Sequence, residues 1–197
     1  MSSILYTPEK RREDLRLATE RPIEWPSAWG DIPTILHDII DRFGIESKKA
    51  IEFGVEWGYS TSALANCFDE VVGVDTFKGD IHSGIKEDTY DMTAAYLSDF
   101  PNISLVQASY QDYCSEKRSE ERSERYGMAH VDIVHTYEDT YACGEWCVRH
   151  SDVVIFHDTM SFPDVYRACE DLASKYGLFF YNYEPSFGLG ILSKKKI

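Results

Sequence analysis

The chain has 197 residues, with 20 Lys and Arg against 34 Asp and Glu, and a formal net charge of −14. This length suits one domain with a sizeable core. Such a negative chain repels nucleic acid and anionic membrane surfaces, so we expect neither as a partner and favour a small-molecule substrate. No apolar run is long enough to span a membrane, and no secretion signal is visible. We therefore expect a cytoplasmic protein with five reduced cysteines.

We predict a single domain over residues 1–197, in which residues 1–47 form a helical extension that packs on the rest. The triplet Thr7-Pro8-Glu9 is typical of a helix start and predicts a helix to about Glu20. A tryptophan-containing loop broken by two prolines follows. From Asp31 to Phe43, apolar residues recur at helical spacing, which predicts a second helix.

Beyond this extension, short apolar segments alternate with helical ones. The predicted strands, in chain order, are KAIEFG, EVVGVD, ISLVQA, AHVDIV, SDVVIFHD, LFFYNYE and GLGILSK. The predicted helices are YSTSALANCF, a segment near Thr89–Phe100, TYEDTYACGEWCVRH and FPDVYRACEDLASKYG. The alternation predicts a parallel sheet covered by helices on both faces. The last two strands are joined too tightly for a crossover, so one of them is expected to be antiparallel.

The segment IEFGVEWGYSTSALA joins the first of these strands to its helix and contains Glu52, Gly54 and Gly58. In a doubly wound sheet, ligands bind at the carboxyl ends of the strands, which is where this segment lies. Glycines at such a turn let the backbone approach a ligand closely, and a helix N-terminus follows. The segment is therefore the predicted cofactor loop.

Two cofactor classes compete for this loop. A dinucleotide site needs the pattern G-x-G-x-x-G, but Glu56 stands where the second glycine would be, which disfavours a nicotinamide oxidoreductase. The pattern of an acid, a glycine two residues later and a glycine four residues after that suits S-adenosylmethionine, whose ammonium group an acid can bind. Asp75 ends the next strand and can accept hydrogen bonds from both ribose hydroxyls.

Three further segments carry a family resemblance. They are DTFKGDIHSG from Asp75 to Gly84, HVDIVHTYE from His130 to Glu138, and VIFHDT from Val154 to Thr159. From about Lys48 onward, the chain resembles class I S-adenosylmethionine-dependent methyltransferases, and among them the small branch associated with sugar, glycan and macrolide tailoring. With the closing hairpin, the resemblance implies a doubly wound Rossmann-like sheet of order 3-2-1-4-5-7-6 with strand 7 antiparallel.

The resemblance also implies the activity, which is transfer of a methyl group from S-adenosylmethionine to the hydroxyl of a small-molecule or sugar acceptor. The cofactor residues implied are Glu52, Gly54, Gly58 and Asp75. Ser109 follows the third strand, where the family has adenine contacts, although a serine there also suits a plain helix cap.

Relatives with this arrangement use a metal ion to hold the hydroxyls of the acceptor. Asp132 and Asp158 end neighbouring strands and supply hard oxygen ligands suited to Mg²⁺, and Thr159 can add a further oxygen. The alternative is that Asp132 contacts only the cofactor and that Asp158 only caps the following helix.

Histidines near these acids offer acid–base chemistry. His135 follows Asp132 closely, and a histidine with an ordinary pKa can take the proton of an acceptor hydroxyl, so His135 and Asp132 are the predicted catalytic pair. His82 lies in a polar loop that could close over the substrate, or it is an ordinary surface histidine. By strand alternation, His157 should point away from Asp158 and act as a structural hydrogen bonder.

Other features leave alternatives open. Ile133 stands where the family has a glycine, which raises the alternative of an inactive methyltransferase fold serving as a binding or interaction module. Cys143, Cys147 and His150 lack a matching second pair of ligands, so packing is favoured over zinc binding. The mixed-charge run SEKRSEERSER from Ser115 is interpreted as a solvated helix face or loop. The sequence names no acceptor and leaves a homo-oligomer open.

Overall fold

The computed structural model describes residues 3–9, 32–118 and 124–197. The strands are β1 (Ile4–Leu5), β2 (Lys49–Phe53), β3 (Glu70–Asp75), β4 (Ile103–Gln107), β5 (Tyr126–Val131), β6 (Ser151–His157), β7 (Phe179–Tyr183) and β8 (Leu189–Ser193). The α-helices are α1 (Ile32–Phe43), α2 (Tyr59–Ala65), α3 (Tyr90–Tyr96), α4 (Tyr110–Arg118), α5 (Tyr137–His150) and α6 (Pro163–Tyr176), and a 3-10 turn over Leu97–Asp99 follows α3.

The strands form one sheet in the order β1-β7-β8-β6-β5-β2-β3-β4. Counted from β2, the seven predicted strands lie in the predicted order 3-2-1-4-5-7-6, which is confirmed. β8 runs antiparallel to both β6 and β7, and the other neighbouring pairs are parallel. Within the described residues the sheet has eight strands and not seven, because β1 adds a parallel edge strand beside β7. With two residues, β1 is too short to leave an alternation in the sequence.

Several predicted boundaries are corrected. The strand predicted as AHVDIV begins earlier, at Tyr126, and ends at Val131, so Asp132 lies just beyond the sheet. Helix α4 was not predicted, because its sequence is mostly polar; its last turns contain the start of the mixed-charge run, whose residues 119–123 lie outside the described residues. The helix predicted to Glu20 and the tryptophan loop fall almost wholly on residues 10–31, which are also outside them.

Apolar side chains cover both faces of the sheet. On one face, Leu36 of α1 and Leu64 of α2 pack with Ile155 of β6 in one buried cluster. On the other face, Trp146 of α5 and Phe156 of β6 belong to a second cluster. Because successive strand residues point to opposite faces, β6 serves both cores, as expected of a strand buried on both sides. None of the helices within the described ranges is long and apolar enough to cross a bilayer.

The arrangement of the strands determines where a ligand site can lie. β2, β3, β5 and β6 are parallel neighbours, so their carboxyl ends meet along one edge of the sheet. The loops that leave these ends carry the residues singled out in the sequence. A doubly wound sheet binds ligands in this position.

The N-terminal segment is fastened to α1 by a buried hydrogen bond. The Tyr6 hydroxyl donates to Asp38 Oδ2, and both residues are almost fully buried. Arg42 lies over the Tyr6 ring, with 5.0 Å from its guanidinium carbon to the ring centroid, and donates to the Thr7 carbonyl at 2.9 Å. This network holds β1 and its following residues against the body.

Tyr6→Phe should lower the free energy of unfolding by about 1–3 kcal/mol, because it removes a donor from a buried carboxylate. Tyr137→Phe is the matched control, since Tyr137 donates to Asp171 at the protein surface and its loss should cost about 0.5 kcal/mol or less. Urea unfolding of both variants measures the difference. Equal costs for the two would contradict the structural role of the Tyr6 hydrogen bond.

Candidate functional site

A cavity of about 580 Å³ opens at the carboxyl ends of the central strands. Its size lies within the range of small-molecule sites. Among the described residues that line it, no Lys or Arg occurs, whereas acids and histidines are frequent. The carboxylates are Glu56, Asp75, Asp80, Asp132, Asp139 and Asp158, and the imidazoles are His82, His135 and His157. The cavity therefore suits a cation or a neutral polar ligand better than a phosphate.

Gly54 forms the closest packing at the cavity floor. Its φ is +92°, and a Cβ atom built on it would lie 1.6 Å from the carbonyl oxygen of Asp132. Gly54 N donates to the Val74 carbonyl at 2.9 Å, and Asp132 N donates to the Phe53 carbonyl at 2.8 Å. The first turn after β2 therefore packs directly between the ends of β3 and β5. Only glycine, which has no Cβ atom, allows this close approach.

Asp75, at the end of β3, organises the loops on either side of it. Its Oδ2 accepts the backbone N–H groups of Val55 and Glu56, each at 2.8 Å, and its Oδ1 accepts that of Phe77 at 2.8 Å. Asp75 also lines the cavity. The two N–H groups occupy both lone pairs of Oδ2, whereas Oδ1 accepts one backbone N–H and keeps a lone pair, through which Asp75 can accept a ligand hydroxyl while it holds these loops.

Glu52 does not reach the cavity, which corrects its expected role as a direct cofactor contact. It is fully buried, and its carboxylate accepts a hydrogen bond from the Thr61 hydroxyl. The other oxygen lies 2.7 Å from Nδ1 of His130, the residue opposite it in the β2–β5 register. Glu52 therefore links β2 to α2 and β5 inside the protein. A buried carboxylate is tolerated only when it is paired in this way.

Gly58 and Ser109 shape the two helices that approach the cavity. Gly58 has a φ of +84° and precedes α2, where its N–H donates to the Val55 carbonyl at 2.8 Å, but it does not line the cavity. Ser109 does line it, and also caps α4: its Oγ accepts the Asp112 N–H at 3.1 Å and donates to the Asp112 carboxylate at 2.7 Å. Both interpretations of Ser109 given by the sequence are compatible with this position.

Asp132, His135 and Asp158 come together on the cavity wall. His135 Nε2 lies 2.9 Å from Asp158 Oδ2 and 3.6 Å from Asp132 Oδ1. One possible ligand atom from each residue lies within 4.8 Å of the other two, so the three side chains form a candidate metal-binding group. The donor set of two carboxylates and an imidazole fits a divalent cation.

The same contacts control the charges of the group. Burial by itself lowers the pKa of His135, but the carboxylates of Asp132 and Asp158 outweigh burial and raise that pKa to about 9. Burial raises the pKa of Asp132, yet the charge of His157 and the close approach of the His135 and His157 rings hold that pKa well below its usual value. The two carboxylates therefore favour the protonated ring, and the pKa of His135 differs from the ordinary value expected for it.

His157 faces the site, contrary to the alternation argument. Its Nδ1 lies 3.2 Å from Asp132 Oδ2 and 3.5 Å from Asp158 Oδ2, and its Nε2 lies 3.3 Å from the Ser186 carbonyl. The prediction assumed that the strand continues through Asp158. Instead β6 ends at His157, and Asp158 has a φ of +64°, so the chain turns and both side chains reach Asp132.

His82 reaches the same cluster from the polar loop after β3. Its Nδ1 lies 3.1 Å from Nδ1 of His135. Phe162, which precedes α6, stacks on the His135 ring with a centroid distance of 4.1 Å and an interplanar angle of 8°. The His82 ring also lies 5.1 Å from the Phe162 ring. A residue of the exposed loop and one from the start of α6 thus fix the plane of His135.

Thr159 is turned away from this group, which corrects its expected place among the metal ligands. Its hydroxyl donates to Asn182 Oδ1 at 2.6 Å in a buried contact. The cysteines do not line the cavity either. Cys143 and Cys147 are buried free thiols on α5, as the packing interpretation expects. His150 stacks on Trp146 instead of approaching a metal site.

Two groups of cavity residues carry too little signal in the sequence to be predicted. Phe162 carries no motif of its own, and its only signal is its place before the proline that starts α6. Tyr110 and Asp139 line the cavity beside Ser109 and are hydrogen-bonded to each other at 2.8 Å. Their pairing joins α4 to α5, and since α4 was not predicted, neither residue could be placed there.

Glu56 stands at a strained position in the cofactor loop. Its φ is +50°, and its carbonyl accepts the Thr93 hydroxyl at 3.0 Å. Partial loss of water, followed by the charges of Asp132, Asp75 and Asp80, raises the pKa of its carboxyl. A pyrophosphate at this loop would add negative charge to the cluster, which supports the argument against a nicotinamide cofactor.

Comparisons with known proteins show the fold. No protein-family model and no curated protein matches the chain. Among solved structures, it is similar to an O-methyltransferase from Bacillus cereus in complex with SAH, with a TM-score of 0.60, 15% identity, and coverage of 88% of this chain and 84% of that one.

Two further structures are similar over most of their lengths. CalS10, an amino pentose methyltransferase from Micromonospora echinaspora with bound SAM, has a TM-score of 0.59 and 10% identity, over 86% of this chain and 92% of that one. An rRNA methylase from Streptococcus thermophilus has a TM-score of 0.54 and 15% identity, over 83% and 96%. The chain has the Rossmann-like fold of these methyltransferases, a fold that serves acceptors of different kinds.

Gly54→Ala should destabilise the protein far more than a glycine replacement that only adds backbone strain. Gly177→Ala is the matched control, since Gly177 has a φ of +64° with nothing within 4 Å of its added Cβ. We expect a loss of about 1–2 kcal/mol for Gly177→Ala and at least about twice that for Gly54→Ala. Urea unfolding compares them, and equal losses would show that the close contact with Asp132 is absent.

Proposed function

We propose that the protein is an S-adenosylmethionine-dependent methyltransferase that methylates a hydroxyl group of a small-molecule or sugar acceptor with the help of a divalent cation. The observation that carries this proposal is the composition of one cavity. The glycine turn at Gly54 and the loop-holding carboxylate of Asp75 line the same cavity as the cluster of Asp132, His135 and Asp158.

The charge of the cavity supports a sulfonium donor. S-adenosylmethionine carries a cationic sulfur, an amino-acid end and two ribose hydroxyls, and has no phosphate. Asp75 Oδ1 keeps a lone pair that can accept a ribose hydroxyl, and Gly54 leaves room for close approach of the ligand to the backbone. With Glu52 withdrawn, Glu56 at the rim is the acid of the cofactor loop that remains available to an ammonium group.

Methyl transfer from a sulfonium is a direct displacement. An O–C bond forms, the C–S bond breaks with its electron pair going to sulfur, and the hydroxyl proton is released. Asp132 and Asp158 would hold the cation, which lowers the pKa of a hydroxyl bound to it and orients that hydroxyl. The protein's own task is alignment of nucleophile, methyl group and sulfur, to which a fixed cavity contributes most.

His135 is not proposed as the base. Its Nε2 faces two carboxylates and its Nδ1 faces His82, so neither nitrogen is directed toward an acceptor. The sequence-based role of His135 in taking the hydroxyl proton therefore lacks geometric support. Greater acidity of the hydroxyl beside Asp132 and Asp158 accounts for proton loss without it.

The acceptor class follows from charge as well. A net charge of −14 and a cavity lined by carboxylates disfavour polyanionic acceptors such as nucleic acids. A neutral or cationic small molecule bearing hydroxyl groups meets no such repulsion. We propose this class of acceptor, in a protein that needs neither nucleic acid nor membrane as a partner.

Binding of the donor product tests the first half of the proposal. S-adenosylhomocysteine should raise the melting temperature, because it binds only the folded state, whereas NAD should not. Asp75→Ala should weaken S-adenosylhomocysteine binding by about 1–3 kcal/mol through lost hydrogen bonds to the ribose. Calorimetry measures this loss, and Asp152→Ala at the opposite end of β6 is the control. Unchanged affinity in Asp75→Ala would place the cofactor elsewhere.

Removal of metal tests the second half. A chelator should suppress methyl transfer to a panel of hydroxylated small molecules, while S-adenosylhomocysteine binding survives, because the donor side of the cavity does not depend on the cluster. Added divalent cation should restore turnover. Turnover that is insensitive to the chelator would remove the metal from the mechanism. Tight cofactor binding without transfer to any acceptor would favour the inactive binding module.

A further inference from the structure

We propose that His135 is itself a metal ligand, and that the site made by Asp132, His135 and Asp158 selects a first-row transition-metal ion such as Mn²⁺, Co²⁺ or Zn²⁺ over Mg²⁺. The inference rests on the divalent cation of the proposed function and specifies its chemistry. It changes the role expected of His135 from base to ligand, and it makes His82 a positioning residue for that ligand.

The two distances from His135 Nε2 to the carboxylates are those expected between donor atoms on one metal ion. A metal ion with ligands at about 2.0–2.2 Å separates adjacent donors by about 2.8–3.6 Å, whether the geometry is octahedral or tetrahedral. His135 Nε2 lies 2.9 Å from Asp158 Oδ2 and 3.6 Å from Asp132 Oδ1. The three side chains therefore need little movement to share one ion.

The histidine nitrogen itself points to a ligand. His135 Nε2 is shielded from solvent, and within the described residues it has no hydrogen-bond partner of proper geometry, although two carboxylate oxygens lie close by. A buried polar atom usually has a partner, and an orphaned one calls for an explanation such as an ion. A metal ion between the nitrogen and the two carboxylates meets this need and relieves the repulsion between them.

The ring of His135 is held as a ligand ring usually is. Histidines that bind metals commonly make a hydrogen bond through their other nitrogen, which fixes the ring's orientation. Here that nitrogen lies 3.1 Å from His82 Nδ1, and Phe162 stacks flat on the ring. His82 stands in the exposed loop after β3, so the position of this loop affects how the ligand is oriented.

The donor set decides the choice of ion. Mg²⁺ prefers oxygen ligands and keeps several waters, so replacing an oxygen with an imidazole nitrogen weakens its binding relative to ions that accept nitrogen. Mn²⁺, Co²⁺ and Zn²⁺ bind imidazole and carboxylate together, with affinity rising along the series from Mn²⁺ to Co²⁺. One imidazole beside two carboxylates therefore favours these ions over Mg²⁺.

The test measures metal binding to the chelator-treated full-length protein, with S-adenosylhomocysteine present. Calorimetry should show Mn²⁺ and Co²⁺ binding at least about ten-fold more tightly than Mg²⁺. Cobalt-loaded protein should show visible absorption bands and a paramagnetically shifted, exchangeable imidazole N–H signal in its proton spectrum. Both readouts use the unmutated protein, so they do not depend on how any variant folds.

Variants identify the ligand. His135→Gln should reduce Co²⁺ affinity about a hundred-fold, remove the shifted imidazole signal and change Mg²⁺ affinity much less. His82→Gln should reduce Co²⁺ affinity about ten-fold and shift the cobalt bands without removing them. His150→Gln is the control, since His150 stacks on Trp146 instead of lining the cavity, and it should change neither quantity.

Three results would overturn the inference. Mg²⁺ binding as tight as that of Mn²⁺ and Co²⁺, or a cobalt complex without an imidazole signal, would exclude His135 as a ligand while leaving metal-assisted methyl transfer intact. Failure of every cation to bind would refute both the inference and the metal in the proposed function. The S-adenosylhomocysteine binding measured in the same samples would still report separately on the donor site.

Discussion

The contact between Gly54 and the backbone of Asp132 is the constraint on which the rest of the site depends. It brings the turn after β2 so close to the end of β5 that a Cβ atom on Gly54 would lie 1.6 Å from the Asp132 carbonyl oxygen. Hydrogen bonds from Gly54 N to Val74 and from Asp132 N to Phe53 tie three strand ends together. The predicted cofactor loop and the cluster of Asp132, His135 and Asp158 thus occupy fixed positions along one cavity.

The negative charge of the carboxylates in the cavity then determines which ligands it favours. Carboxylates crowd the cavity, and each is kept in place by a specific partner: Asp75 by backbone N–H groups, Asp132 by His157, and Asp158 by His135. Like charges at such separations persist only when protons or cations lie among them. A cavity of this charge favours cationic ligands, as the proposed sulfonium donor and the proposed divalent cation both are.

Much of the fold could be predicted from the sequence, because apolar strands of fixed length alternate with helices and the final hairpin has no room for a crossover. Strand β1 and helix α4 were not predicted. β1 has only two residues and therefore no pattern, and the sequence of α4 is largely polar. In the site, Asp75, Asp132 and Asp158 were placed by their positions at strand ends. The orientation of His157 could not be foreseen, since it depends on the left-handed backbone of Asp158, and neither could the withdrawal of Glu52 to Thr61 and His130.

A crystal structure of the protein with S-adenosylhomocysteine and Mn²⁺ tests the central claim most directly, because it shows both ligands in one cavity. The account predicts the ribose hydroxyls on Asp75, the metal ion bound by Asp132, His135 and Asp158, and the sulfur directed toward that ion with open space for an acceptor hydroxyl between them. A cofactor bound away from Asp75, or a sulfur turned away from the metal ion, would contradict it.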